Sequence, residues 1–355
     1  MAAVVRIREL SGPVVTGVQV LAVAACYFAG ARLGLLRQYV VDGAVFTPIW
    51  PPTGIAVAAL LILGLRCWPG VALGAFLAVL SVAPLRPTVV GSVVGNTAAP
   101  VCSYLLLRQV GFRNDLSRLR DGAALVFLGA LASTLISATV GVGVIVFRGG
   151  LPAEDFWTAW PAWWVGDAMG VLIVTPLLLA LHGARWPPRM SRWKEALGTV
   201  LVACFLVPLA THSALSMLFL VYPLLIWAAL RFQLVGSMLC ALFASVLATV
   251  AATDQVGPFA GLSSTELMFK LQAFNGGMAL TALLLSSVIT EQLNTRRSVE
   301  QACRELAEVL EHLTAGESRR ERLREEGEQE QEGESEGEQE GWQEEGDGGG
   351  RRGPS

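Results

Sequence analysis

The sequence predicts an all-α fold. It reads as a polytopic transmembrane helical bundle of about ten spans (eight is the alternative count), with a short cytoplasmic helix and a disordered acidic tail. Three observations carry this. Hydrophobic residues make up 53% of the 355 residues and gather in long runs. Charge is divided unevenly: residues 1–290 hold 17 Lys/Arg against 10 Asp/Glu, and residues 291–355 hold 9 against 19. The basic residues also fall in alternate loops, as in an embedded bundle with a cytosolic appendage.

The apolar segments run approximately 14–35, 46–64, 69–83, 88–107, 123–147, 156–181, 196–211, 214–230, 234–252 and 270–290. The third is short for a span, and little more than Thr211, His212 and Ser213 separates the seventh from the eighth. Eight spans with re-entrant or fused pieces therefore stays open. With the N-terminus inside, fourteen Lys/Arg lie in inner loops and five (Arg32, Arg37, Arg86, Arg148 and Lys270) in outer ones. That bias predicts an even number of spans and two cytoplasmic termini. The near-exclusive use of Arg over Lys, with abundant Ala, Gly and Val, suits a GC-rich bacterial genome and hence a bacterial inner membrane. The first run continues without a clean cleavage site and reads as a retained helix. Cys26, Cys67, Cys102, Cys204, Cys240 and Cys303 are scattered without a CxxC pair and read as packing residues.

Four regions follow: a cytoplasmic N-terminus (1–13), an integral membrane domain (14–293), an amphipathic helix (294–316) and the tail (317–355). The second segment opens PIWPPTG, where Pro48, Pro51 and Pro52 cannot donate backbone hydrogen bonds. It reads as a bent helix entrance, or as a broken backbone that joins Trp50 and Thr53 in a ligand pocket. The fourth segment places Asn96 half-way into the membrane beside Gly95, as an interhelical clamp or a ligand contact. Arg113, Arg118, Arg120 and Asp121 follow in a loop that reads as a topological anchor, with a docking site for a partner as the alternative.

The sixth segment is the centre of the chain. It reads WTAWPAWWVGDAMGVLIVTP and carries one carboxylate, Asp167, near the midplane. Trp157, Trp160, Trp164 and Asp167 are spaced three, four and three, which predicts one helical face. Gly166 and Gly170 beside the acid, like Gly54 and Gly95 elsewhere, permit close helix approach. A charge at this depth is costly unless paired, protonated or wetted, which makes Asp167 a functional-site candidate by default. After the last span, Val299, Ala302, Leu306, Val309 and Leu313 repeat three, four, three, four, a two-heptad seam suited to a homodimer. Dense Glu, Gln and Gly beyond Gly316 predict disorder.

Several stretches together resemble the bacterial membrane-associated sensor domain of the first type, the MASE1 family. They are IWPPTGIAVAALLILG (49–64), WPGVALGAFLA (68–78), GNT (95–97), RLRD (118–121) and LISATVG (135–141). FWTAWPAWWVGDAMGVLIVTPLLLA (156–180), WAALRF (227–232) and GPFA (257–260) complete the set, which covers roughly residues 14–293. The resemblance implies signal input through an integral bundle whose cytoplasmic helix leads to an output module. On this chain the residues it carries over are Trp50, Pro51, Pro52, Thr53, Gly54, Asn96, Trp164, Gly166, Asp167 and Gly170. The ligand-binding candidates are Trp50, Pro51, Pro52, Thr53, Asn96, Trp160, Trp164 and Asp167, with Gly54, Gly95, Gly166 and Gly170 as packing residues. Family members often carry Leu-Glu after the Asn-Thr, where this chain has Ala98 and Ala99, so a second intramembrane acid is missing. No kinase phosphoacceptor box, ATP-binding motif or cyclase signature follows the last span, and His312 lacks the flanking pattern of a phosphorylated histidine.

The leading reading is a membrane sensor that relays a signal to a separate kinase, cyclase or regulator. A secondary transporter using Asp167 is the alternative from a different class, and a truncated relic of a sensor kinase or diguanylate cyclase is the third. An intramembrane enzyme is disfavoured, because no Ser-His or HExxH arrangement occurs. No cofactor, metal site or nucleic-acid partner is expected; the partner is the lipid bilayer.

Overall fold

The computed structural model describes residues 12–37, 39–41, 44–184, 193–213 and 217–346. Arg6, Arg8, Arg185, Arg189 and Arg192 of the inner-loop count lie outside the described residues. The architecture is all-α and polytopic. Among the described residues nine helices carry it: α1 Gly12–Gly34, α2 Pro51–Leu63, α3 Trp68–Leu80, α4 Val89–Gln109, α5 Leu119–Phe147, α6 Phe156–Gly183, α7 Trp193–His212, α8 Val221–Thr253 and α9 Ser264–Gly346. A two-stranded antiparallel pair, β1 Tyr39–Val41 with β2 Ala44–Phe46, joins α1 to α2. Among the described residues, seven helices are long and apolar enough to cross a membrane; the short apolar α2 and α3 are the other two.

The 33 residues of α8 do not form one rod. Gln233 has φ 55° and ψ −145°, outside helical values. A methyl group on Gly236 would lie 3.2 Å from the carbonyl oxygen of Ala228. Residues eight apart in a continuous helix are separated by about 12 Å along the axis. The chain therefore reverses at Gln233, and 221–232 and 234–253 form a helical hairpin. Each of the ten apolar segments in the sequence thus corresponds to its own helical piece.

Contacts sort the loops into two ends of the bundle. At one end Arg37 pairs with Asp254 at 2.9 Å, Gln272 donates to Pro48 O at 3.0 Å, and Gly257 packs on Thr211 O. At the other end Arg231 pairs with Glu195, Asn114 donates to Leu61 O at 2.9 Å, and the Leu119 N–H reaches Glu291. Successive pieces alternate between these ends. The loops that the arginine count puts together are the loops that the fold brings together.

The bundle is organised around α6, which packs on α2, α5 and α8. Ala168, Val171, Leu172 and Ile173 of α6 join Leu225, Met238, Ala241 and Ala244 of α8 and Leu271, Met278 and Ala282 of α9 in the main core. A second core joins α1, α2 and α3 through Val23, Tyr27, Ala56, Leu60, Val71 and Ala75. Alanines are interspersed with leucine and valine in both cores; hydrocarbon tails are as apolar as leucine, so helices associate by close packing. Trp157, Phe205 and Phe269 stand more than 70% exposed. In water such exposure would be an aggregation liability; it suits a surface that faces lipid.

The middle of α5 is a π-helical stretch, Leu125–Ala132. Widening to π register and back leaves the junction carbonyls with poorer internal partners. Three consecutive carbonyls there receive side-chain donors. Ser133 bonds Gly129 O at 2.7 Å, Thr134 bonds Ala130 O at 2.5 Å, and the Trp164 indole bonds Leu131 O at 2.8 Å.

Residues 1–292 and 293–355 form separate compact units. Where composition predicts disorder from 317, the chain is helical to Gly346. Glu, Gln and Arg are good helix formers even without apolar contacts, and local propensity here outweighs low hydrophobicity. Residues 347–355 lie outside the described residues.

Candidate functional site

Pro51 and Pro52 occupy the first turn of α2, where the missing N–H groups cost nothing and the fixed φ suits the helix. The helix starts at these prolines; it is not broken by them. The preceding extended residues instead lie along α6. The Trp50 N–H donates to Gly166 O at 3.0 Å, and the Thr175 hydroxyl donates to Gly54 O at 2.9 Å. This approach needs glycine on both sides. A methyl group on Gly170 would strike Trp50 O, one on Gly54 would strike Gly170 O, and one on Gly166 would come within 2.5 Å of Thr47 O. Gly95 serves the same purpose between α4 and α5, against Val140.

The close seam carries Asp167 into contact with two other helices. Its side chain is 1% exposed. One carboxylate oxygen accepts the Thr53 hydroxyl of α2 at 2.7 Å, and the other accepts the Ser137 hydroxyl of α5 at 2.5 Å. The Trp163 indole is a third polar group facing the carboxylate. No lysine, arginine or histidine among the described residues pairs with it. A buried carboxylate held by neutral donors is oriented without being neutralised.

A cavity of about 580 Å³ opens onto this carboxylate. Tyr27, Trp50, Asn96, Trp163 and Asp167 line its inner part, and Val82, Ala83, Arg148 and Gly150 its mouth. The mouth lies at the end of the bundle that holds the Arg37–Asp254 pair. Among the lining residues Asp167 is the one carboxylate. Among the described residues no group of three or more His, Cys, Asp or Glu is placed to hold a metal ion.

The structure thus brings Trp50, Thr53, Asn96 and Asp167 together, and it separates Trp160 and Trp164 from them. Asn96 does not clamp a neighbouring helix: its amide donates to Ser92 O of its own helix at 2.9 Å. Trp160 stacks on Trp164 with ring centroids 5.6 Å apart, and its indole bonds Thr139. Trp164 caps the π segment. Pro51 packs on Gly34 of α1 and, with Pro52, shapes the helix entrance. Sequence reading missed Ser137, Tyr27 and Trp163. Trp163 had a signal, since it stands four residues before Asp167 and shares its face as closely as Trp164 does.

Neither a curated protein nor a solved structure matches this chain. The MASE1 family model matches residues 19–293, which include every residue that lines the cavity. The chain belongs to the MASE1 family of membrane sensor domains.

Proposed function

We propose that the protein is a signal-input unit whose ligand enters the Asp167 cavity and whose state is read through α9 by a separate partner. The observation that supports this best is the cavity itself: a buried, oriented carboxylate at the meeting point of three helices. A ligand that binds one arrangement of these helices better than another shifts their populations by its differential affinity.

The cavity has a physical connection to α9. The Trp50 segment that lines it is tied to α6 through Gly166 and to α9 through Gln272, which holds Pro48 O. A shift of the Trp50 segment on ligand entry would pull on Gln272. Beyond residue 292, Val299 and Leu306 are 56% and 63% exposed in the single chain, and Ala302 is exposed as well. That apolar seam is available for a second copy or a partner helix. The side chains of Val309 and Leu313 lie outside the described residues. The basic end of the bundle, with Arg66, Arg113, Arg118 and Arg231, is the cytoplasmic end in this reading.

The test is mild extraction from native membranes, with and without residues 293–355, followed by mass spectrometry of co-purifying proteins. The reading expects a kinase, cyclase or response protein that is recovered only when residues 293–355 are present, with recovery altered by Asp167→Asn at unchanged membrane abundance. Recovery of the protein alone, together with Asp167-dependent solute uptake by reconstituted vesicles, would replace it with a transporter.

A further inference from the structure

We propose that the Asp167 cavity takes an organic ammonium ion, a small amine or quaternary ammonium. Its charge sits against the carboxylate, and its carbon skeleton lies between Tyr27, Trp50 and Trp163. The proposal rests on the sensor reading and names the ligand class of the same site.

Charge decides the sign of the ligand. Asp167 is buried, both its oxygens are fixed by hydroxyl donors, and no cation among the described residues pairs with it. A cation entering the cavity supplies the missing partner in surroundings of low dielectric, where the pairing is strong. An anion would meet an unscreened carboxylate. Arg148 at the mouth does not reverse this. It is exposed, and it stands eleven residues along α5 from Ser137, about 16 Å of rise. That distance exceeds the screening length of about 8 Å in the water at the mouth.

Size and wall chemistry decide the class. At about 580 Å³ the cavity is far larger than a bare metal ion needs. It falls within the range of roughly 300–1,000 Å³ of small-molecule sites. Its carboxylate is bordered by three aromatic side chains, whose ring faces attract cations through their quadrupole. Alkylammonium groups use both features at once: a diffuse charge for the carboxylate and rings, and C–H surface for the apolar wall.

Ammonium chemistry reaches a membrane protein from two sources, a free solute or a lipid headgroup. The test uses the full chain in phosphatidylglycerol nanodiscs, which carry no ammonium. Choline chloride and tetramethylammonium chloride are titrated against 3,3-dimethyl-1-butanol, the neutral isostere of choline, and against sodium and potassium chloride at matched ionic strength. Calorimetry and the unfolding midpoint are the readouts. The expected result is saturable binding of the ammonium probes only. Asp167→Asn should weaken it on the order of tenfold or more, and Trp50→Phe by roughly two- to fivefold, keeping a ring but losing area.

Trp50→Phe and Trp163→Phe keep the proposal testable if Asp167→Asn does not fold. Weaker choline binding in phosphatidylethanolamine discs would assign the native ligand to the headgroup, and unchanged binding to a free amine; either supports the class. Equal binding of the neutral alcohol, saturation by sodium or potassium alone, or no saturable ammonium binding would overturn it. Such a failure leaves the partner-recovery result untouched, so the ligand class and the sensor reading fall separately.

Discussion

Replacing Gly170 by alanine tests the seam on which the site is built. A methyl group there is directed at the carbonyl oxygen of Trp50, well inside contact distance, and that oxygen is backbone with no rotamer to yield. Either α6 or the Trp50–Gly54 segment must move. Overpacking of a close helix contact costs about 1–3 kcal/mol. The movement also loosens the Trp50 N–H bond to Gly166 O and the Thr53 bond to Asp167, each worth about 1 kcal/mol. The summed loss is roughly 3–5 kcal/mol, reduced to roughly 2–4 kcal/mol because alanine is the better helix former by about 1 kcal/mol. Gly143→Ala on α5 is the matched control: nothing lies within 4 Å of its added methyl group. Intrinsic tryptophan fluorescence during thermal unfolding in nanodiscs reads both variants. Gly170→Ala should unfold several degrees below the parent, and Gly143→Ala at or slightly above it. Equal midpoints for the two would refute the close-packed seam and the site geometry derived from it.

Four further outcomes follow from the same geometry. Trp164→Phe removes the donor to Leu131 O and should cost about 1 kcal/mol of stability in a melt, while leaving choline affinity within twofold of the parent. Ser137→Ala strips one donor from the carboxylate and should destabilise by about 1–2 kcal/mol in the same melt; no change would mean that this bond does not hold Asp167. In a cysteine-free background, Gln233→Cys should label with a membrane-impermeant thiol reagent from the same face as Glu195→Cys and the opposite face to Asp254→Cys. Labelling of Gln233→Cys from the Asp254 face would refute the reversal. Gln272→Leu keeps the volume of the side chain and loses the bond to Pro48 O. It should reduce the difference between parent and Asp167→Asn in the partner-recovery assay while leaving the melting midpoint within a few degrees.

The fold was legible because a bilayer leaves few solutions. Segment lengths and the arginine distribution predicted ten alternating pieces, and the contacts at Arg37–Asp254 and Arg231–Glu195 group the loops in the same way. The reversal at Gln233 was visible only as a weak gap between segments, since it is made by one residue's backbone angles rather than by Gly or Pro. At the site, Asp167 announced itself by its charge, and Gly54, Gly166 and Gly170 by their size. The choice between neighbouring tryptophans was not legible. Trp163 and Trp164 flank the face of Asp167 about equally, and the π segment on α5, which no composition signals, draws Trp164 away to cap Leu131 O. Ser137 was hidden for a related reason: a serine in an apolar helix usually bonds its own backbone, and Thr134 O does lie 2.9 Å from this hydroxyl; only the packing of α5 on α6 also brings it to a carboxylate. The acidic segment beyond Gly316 misled because low hydrophobicity predicts that it packs on nothing, which is a different question from whether it coils.

In the proposed function the state of Asp167 is communicated along α9 to its residues 293–346. Hydrogen exchange of the full chain in nanodiscs, compared between the parent and Asp167→Asn, measures this without knowledge of the natural ligand. Altered protection is expected at the start of α2, where Thr53 loses its charged acceptor, and also in peptides from residues 293–346. Changes confined to the neighbours of Asp167 on α2 and α5, with residues 293–346 exchanging at the parent's rates, would contradict it.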